Sequence, residues 1–244
     1  LSHARNRGFQ EARGQYVGYL DDDAKAPEEW LAVAKEIVDA RAPELFGGPF
    51  YAFYASPKPI WYKDAYGSGD HGASERELDP SEFLFGGNMF IRRSVLESLG
   101  GFNPELGMQH EKAAFGEETA IQRSLREQAQ DRVIYYDPRL YVHHLVACEK
   151  MELKRLVLRR FAEGKYYRKT LTSASRTHES WLSIVRQTAE IVAQLGAEST
   201  YRLLLRSRAK HRYAQSYFYE KTLPHVLRLG RVFEQCREKL RRNK

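Results

Sequence analysis

Tyr16-Val17-Gly18-Tyr19-Leu20-Asp21-Asp22-Asp23 is an apolar run that stops at three consecutive acids. The run reads as a β-strand over Gln15–Leu20. A strand ending in carboxylates sets them at the sheet edge, where α/β folds bind ligands. Three adjacent acids repel one another unless a cation neutralises them, and a divalent metal held through oxygen does so. The plainer alternative is a helix start, since acids favour helix N-termini and Pro27-Glu28-Glu29-Trp30 follows closely.

Working outward, Ala4–Ala12 reads as a short helix before the strand. Trp30, Val33, Ala34, Ile37 and Val38 recur at helical spacing, so Glu28–Arg41 is expected to be an amphipathic helix. Strand, acidic edge and helix make one unit of an α/β layer. Glu44–Ala55 is aromatic and broken by Gly47-Gly48-Pro49, which predicts a strand with a turn or bulge. Ser56–Pro80 is a long polar loop around Trp61; its aromatics either stack on a sugar or anchor the loop. Phe83–Ile91 is expected to be a buried strand with Gly86-Gly87 in its middle, a sign of close approach or of a bulge. Gly116-Glu117-Glu118-Thr119 opens a helix over Thr119–Glu127, and dipole capping alone explains two acids there. A strand over Arg132–Tyr136 follows. Leu140, Val142, His144 and Val146 then alternate with Tyr141, His143 and Leu145, which places His144 on the apolar face.

From Met151 the pattern is helical. Gly164 reads as a break in the first stripe, and Pro224 as a break in the last. Trp181, Ile184, Val185, Thr188, Ile191, Val192 and Leu195 give a strong helical period. The 244 residues carry a net charge of +7, unevenly spread. Residues 151–244 hold 22 Lys and Arg against 8 Glu and no Asp, a net of +14, leaving 17 basic and 24 acidic residues before them, a net of −7. The expected organisation is an α/β domain over 1–150 and a basic amphipathic helical extension over 151–244. No apolar run reaches the roughly 18 residues that cross a bilayer. Cys148 and Cys236 form no metal or redox spacing. The basic tail carries no nucleic-acid recognition motif, so no nucleic-acid partner is expected.

Several motifs occur in one order. Ala4-Arg5-Asn6-Arg7-Gly8, Ala12-Arg13-Gly14-Gln15-Tyr16 and Leu20-Asp21-Asp22-Asp23 are followed by Gly86-Gly87-Asn88-Met89-Phe90-Ile91. Gly100-Gly101-Phe102, Gly116-Glu117-Glu118-Thr119, Tyr136-Asp137-Pro138 with Val142-His143-His144, and Leu158-Arg159-Arg160-Phe161 complete the series. Over about Ser2–Arg168 the chain resembles the family 2 glycosyltransferases of the GT-A fold. The resemblance implies a Rossmann-like mixed sheet flanked by helices. Family members begin with roughly 80 further residues that hold the nucleotide base, so the expectation is an N-terminally truncated GT-A-like domain with a C-terminal α-helical extension.

The resemblance also implies roles. Glu118 would be the general base, with Glu117 its alternative. Asp23 and His144 would hold a divalent cation, Mn2+ or Mg2+. Asp21 would meet the sugar nucleotide, with Asp22 interchangeable. Gly86, Gly87, Asn88, Trp61, Arg159 and Arg160 would line the substrate. The expected reaction is metal-dependent, inverting transfer from a nucleotide-diphosphate sugar to a saccharide or lipid-linked acceptor, as in polysaccharide biosynthesis for the cell envelope. The expected location is the cytoplasm, with the basic tail against the anionic inner face of the membrane. The competing expectation is an inactive transferase-like module that binds a membrane or a partner.

Overall fold

The structure, a computed structural model, describes residues 1–108, 114–128, 132–171, 179–205 and 212–242, without the side chains of 199–205 and 242. Part of the expected loop over Glu105–Phe115 and the Leu203-Leu204-Leu205 side chains lie outside the described residues. Two compact units are present. The first comprises Leu1–Pro57, Asp64–Gly107 and Glu117–Ala147; the second comprises Lys58–Lys63, Met108–Gly116 and Cys148–Lys244. The change of unit thus falls at 147/148, and two short segments of the earlier chain belong with the helices.

In the first unit, α1 (Ser2–Glu11) leads into β1 (Tyr16–Leu20), β2 (Ala24–Lys25) and α2 (Trp30–Arg41). Then come β3 (Leu45–Gly47), β4 (Phe50–Phe53), β5 (Arg76–Glu77), β6 (Asn88–Arg92), α3 (Arg93–Leu99), α4 (Glu117–Gln128), β7 (Ile134–Tyr136) and β8 (Val142–Leu145). Five strands form a mixed sheet in the order β1-β6-β3-β7-β5, and β2-β8-β4 form a second. Among the described residues, β3 and β7 are the one parallel pair of the larger sheet. β1 pairs antiparallel with β6, Leu20 opposite Asn88, and among the described residues its other edge carries no strand.

Strand alternation divides the core between the two faces. Val17, Tyr19, Leu45, Met89, Ile91, Ile134 and Tyr136 pack with Val95, Leu96, Ile121 and Leu125 of α3 and α4. Phe46, Phe90 and Tyr135 face the other way, onto Trp30, Ala34 and Ile37 of α2. Those α2 positions follow the helical period, and burying a side chain as large as Ile37 contributes about 2 kcal/mol. The result is an α/β layer structure.

One expectation fails locally. Gly86-Gly87 is not inside a strand; it forms the turn before β6, which starts at Asn88. The Asn88 side chain is wholly buried. It accepts from Trp30 Nε1 at 2.9 Å and donates to the carbonyls of Pro49 and Leu140 at 3.0 and 2.7 Å. Its amide braces three segments.

The second unit contains α5 (Leu153–Tyr167), α6 (Trp181–Leu205), α7 (Ala214–Tyr217) and α8 (Leu223–Arg242). Gly164 does not break α5. It is buried where the helix meets α8, and a Cβ there would collide with the Leu227 carbonyl and lie 3.0 Å from Gly230 Cα. Pro224 sits in the first turn of α8, where a missing N–H costs little. The expected break is instead a π-helical turn over Phe218–Thr222, just before it. No helix among the described residues is long and apolar enough to cross a membrane.

Candidate active site

The acidic triplet lies in a turn between β1 and β2, closed by the Ala24 N–H donating to the Asp21 carbonyl at 3.0 Å. The convergence of Asp21 and Asp23 therefore comes from the turn rather than from strand alternation. Antiparallel pairing of β2 with β8 sets Ala24 opposite His144. The Leu145 N–H donates to the Asp23 carbonyl at 2.9 Å, which locks that register. His144 Nε2 then stands 3.2 Å from Asp23 Oδ1. One ligand atom each from Asp21, Asp23 and His144 all lie within 4.8 Å of one another. Asp22 is exposed and takes no part in this group.

The donor set, two carboxylate oxygens and an imidazole nitrogen, suits a borderline-hard divalent cation. Burial pushes the Asp21 carboxyl above its ordinary value, against the lowering pull of Arg5 and His144. A site that desolvates a carboxylate beside a second carboxylate favours a bound cation. The residues present therefore fit a metal.

Arg5 joins this group to the acids of α4. Its Nη2 lies 3.5 Å from Asp21 Oδ1, and its Nη1 donates to Glu117 Oε1 at 3.0 Å. Arg5 and Glu117 are both buried. Glu118, the next residue, has its carboxyl pushed up to about 7, first by burial and then by the Glu117 charge, with Arg5 acting to lower it. The helix start alone would lower that value; desolvation outweighs it.

The Gly86-Gly87 turn sits against all three groups. A Cβ on Gly87 would collide with the Asp21 carboxylate, and one on Gly86 would lie 2.8 Å from the Arg5 guanidinium and 3.0 Å from Glu118 Cβ. Gln122, one turn along α4 from Glu118, pins the segment. It accepts from the Leu84 N–H at 2.8 Å and donates to the Leu84 carbonyl at 3.0 Å. Sequence reading missed the roles of Arg5 and Gln122. The signal was faint: an Arg inside a recurrent motif, and a Gln on the apolar side of α4. A cavity of about 450 Å3 is lined by α1, β1 and the first two acids of the triplet, Asp21 and Asp22.

Trp61, Arg159 and Arg160 belong to the second unit. Trp61 is buried, edge-on to Tyr62, and its carbonyl accepts from Ser216 Oγ at 2.8 Å. These contacts anchor the segment around Trp61 within the helical unit. Arg159 and Arg160 each donate to Glu163 at 2.8 Å.

Residues 1–100 match the sequence model described as Glycosyl transferase family 2. A glucosyl-dolichyl phosphate glucuronosyltransferase of Haloferax volcanii is 24% identical over 169 residues, 67% of this chain and 53% of that protein. The succinoglycan biosynthesis protein ExoM of Rhizobium meliloti is 26% identical over 185 residues, 74% of this chain and 56% of that protein. The chain thus spans about half the length of these curated relatives. A mannosyltransferase from Pyrobaculum calidifontis, solved with GDP-Man and Mn2+, superposes with a TM-score of 0.53 at 15% identity, covering 98% of this chain and 67% of that one. The shared architecture is the GT-A fold.

Proposed function

We propose that the chain, whose residues 1–100 match the family 2 glycosyltransferase model, works as such an enzyme in metal-dependent, inverting transfer of a sugar from a nucleoside-diphosphate donor to a lipid-linked saccharide. The observation that carries the reading is Arg5, which touches Asp21 on one side and Glu117 on the other. It draws a cation-binding acid cluster and a high-pKa carboxyl into one site.

In this reading Asp21, Asp23 and His144 hold Mn2+ or Mg2+, which as a Lewis acid would neutralise charge on the departing diphosphate. Glu118 accepts the proton of the acceptor hydroxyl. That oxygen forms a bond to the anomeric carbon as the bond to the diphosphate oxygen breaks, and the nucleoside diphosphate leaves with the electron pair. A single displacement inverts the anomeric centre. A base near pH 7 balances availability against strength, and the Glu118 value suits that task. Glu117, engaged by Arg5, positions rather than reacts. The Gly86-Gly87 turn, lacking side chains, lets Asp21, Arg5 and Glu118 approach one another closely. The acceptor class rests on the relatives, one named for a glucosyl-dolichyl phosphate and the other for succinoglycan biosynthesis.

The test is transfer from nucleotide sugars to lipid-linked saccharides by wild type, Asp23→Ala and Glu118→Gln, with the product anomer assigned by NMR. Loss of transfer in both variants and an inverted product are expected. Unchanged activity in both variants sinks the assignment.

A second reading, peripheral membrane binding by the helical unit, has its own support. α6 buries Ile184 and Ile191 against α8. It also exposes Leu182 at 79%, Val185 at 62% and Val192 at 60%, at helical spacing. A helix apolar on two sides within a basic segment suits an anionic lipid surface. Leu182→Glu with Val185→Glu should abolish pelleting with anionic vesicles; pelleting that persists refutes the reading.

A further inference from the structure

The helical unit contains a polar cavity of about 320 Å3, lined by the end of α5, the start of α6 and the middle of α8. Its volume lies in the range of small-ligand sites. Three arginines line it, Arg168, Arg228 and Arg231, against one acid, Glu179. Glu179 is already engaged, accepting from Ser183 Oγ at 2.5 Å. Arg168 donates to Glu238 at 3.0 Å, outside the lining. The Arg231 guanidinium lies 3.7 Å from the Tyr167 ring centroid, which fixes its plane. Arg228 donates to the neutral amide of Gln194. Gln235 Oε1 is buried in the same wall, with no donor facing it among the described residues.

We propose that this cavity binds a phosphate-bearing ligand through Arg228 and Arg231, with Gln235 accepting a hydroxyl from it. Planar guanidinium forks match phosphate oxygens, and stacking on Tyr167 orients one of them in advance. A buried acceptor left without a partner is costly, and a phosphate O–H or neighbouring hydroxyl would satisfy it. The same chemistry is offered by a soluble phosphoester and by a phospholipid headgroup. The site is separate from Asp21, Asp23 and His144, and the proposal stands whether or not the chain transfers sugars.

The experiment uses the full chain in EDTA, so that metal-dependent binding is silent. Inorganic pyrophosphate is titrated by calorimetry, and vesicles of phosphatidylcholine with and without phosphatidic acid are tested by flotation. A soluble source predicts saturable pyrophosphate binding, one per chain, without dependence on phosphatidic acid. A lipid source predicts flotation that requires phosphatidic acid and is reversed by pyrophosphate. In either case Arg228→Gln and Arg231→Gln should weaken binding at least tenfold, and Arg231→Lys should weaken it less than Arg231→Gln. Asp23→Ala should leave it unchanged. Circular dichroism checks that the variants fold, and the ligand should raise the melting temperature of wild type and Asp23→Ala but much less that of the two Gln variants. Absence of both binding modes, or binding that survives both Gln variants, overturns the proposal.

Discussion

The Arg5 guanidinium donates to Glu117 Oε1 at 3.0 Å, and both side chains are buried although 112 residues separate them. Removing one partner of a buried ion pair strands the other charge and costs about 3–5 kcal/mol. Arg5→Met should therefore destabilise the protein on that scale in urea unfolding. Arg5→Met with Glu117→Met, which strands neither charge, should recover most of the loss. Transfer should remain low in the double variant, because the link to Asp21 is gone. A double variant as active as wild type would show that Arg5 serves stability alone.

Glu118 has its carboxyl raised from the ordinary 4.5 to about 7, with burial as the first cause. Only the ionised form accepts a proton, so transfer should rise through a midpoint near pH 7, and Glu118→Gln should lower it by about 100-fold or more. The effect on stability has the opposite sign. Between the unfolded and folded values the folded chain binds the extra proton, so stability is full below 4.5 and declines as pH rises through about 7. Glu118→Gln carries no such penalty and should resist urea better than wild type at pH 8, by about 3 kcal/mol. A rate independent of pH between about 6 and 8 would remove Glu118 as the base.

What the sequence makes legible follows from how local the cause is. The apolar period of α2, the acidic triplet and the acids opening α4 are set by near neighbours, and each lies where its pattern points. Arg5 is different. Its partners stand 16 residues away at Asp21 and 112 away at Glu117, and only the sheet brings them together. The Gly86-Gly87 pair reads equally well as a bulge or a close approach until Asp21 and Arg5 are seen against it. The three internal hydrogen bonds of Asn88 reach Trp30, Pro49 and Leu140, partners 39 to 58 residues away that no local pattern announces.

The grouping of Asp21, Asp23 and His144, with Asp22 outside it, predicts an unequal response to substitution. Asp23→Ala and His144→Ala should each weaken Mn2+ binding by about tenfold or more, while Asp22→Ala should change it by less than about threefold. Calorimetric titration measures this directly. Saturating Mn2+ should also raise the melting temperature by mass action, and EDTA should reverse the rise. Equal losses in all three variants would mean that the turn, rather than a specific ligand set, governs binding.

Gly164 and Gly196 both lie inside helices, and their surroundings predict opposite signs for the same substitution. Alanine in an exposed helix interior gains about 1 kcal/mol over glycine. Gly196 in α6 is exposed, with open space around its Cβ position, so Gly196→Ala should stabilise by that amount. Gly164 meets Gly230 across the α5–α8 crossing, and a new Cβ would strike the Leu227 backbone. Helices in contact can separate only by giving up packing, and overpacking of this kind costs about 1–3 kcal/mol or more. Backbone cannot move aside as a flexible side chain does, so the clash outweighs the gain in propensity. Gly164→Ala should therefore lower the melting temperature and Gly164→Val should lower it further, both followed by circular dichroism. If Gly164→Ala stabilises as Gly196→Ala does, the two helices do not cross at these glycines.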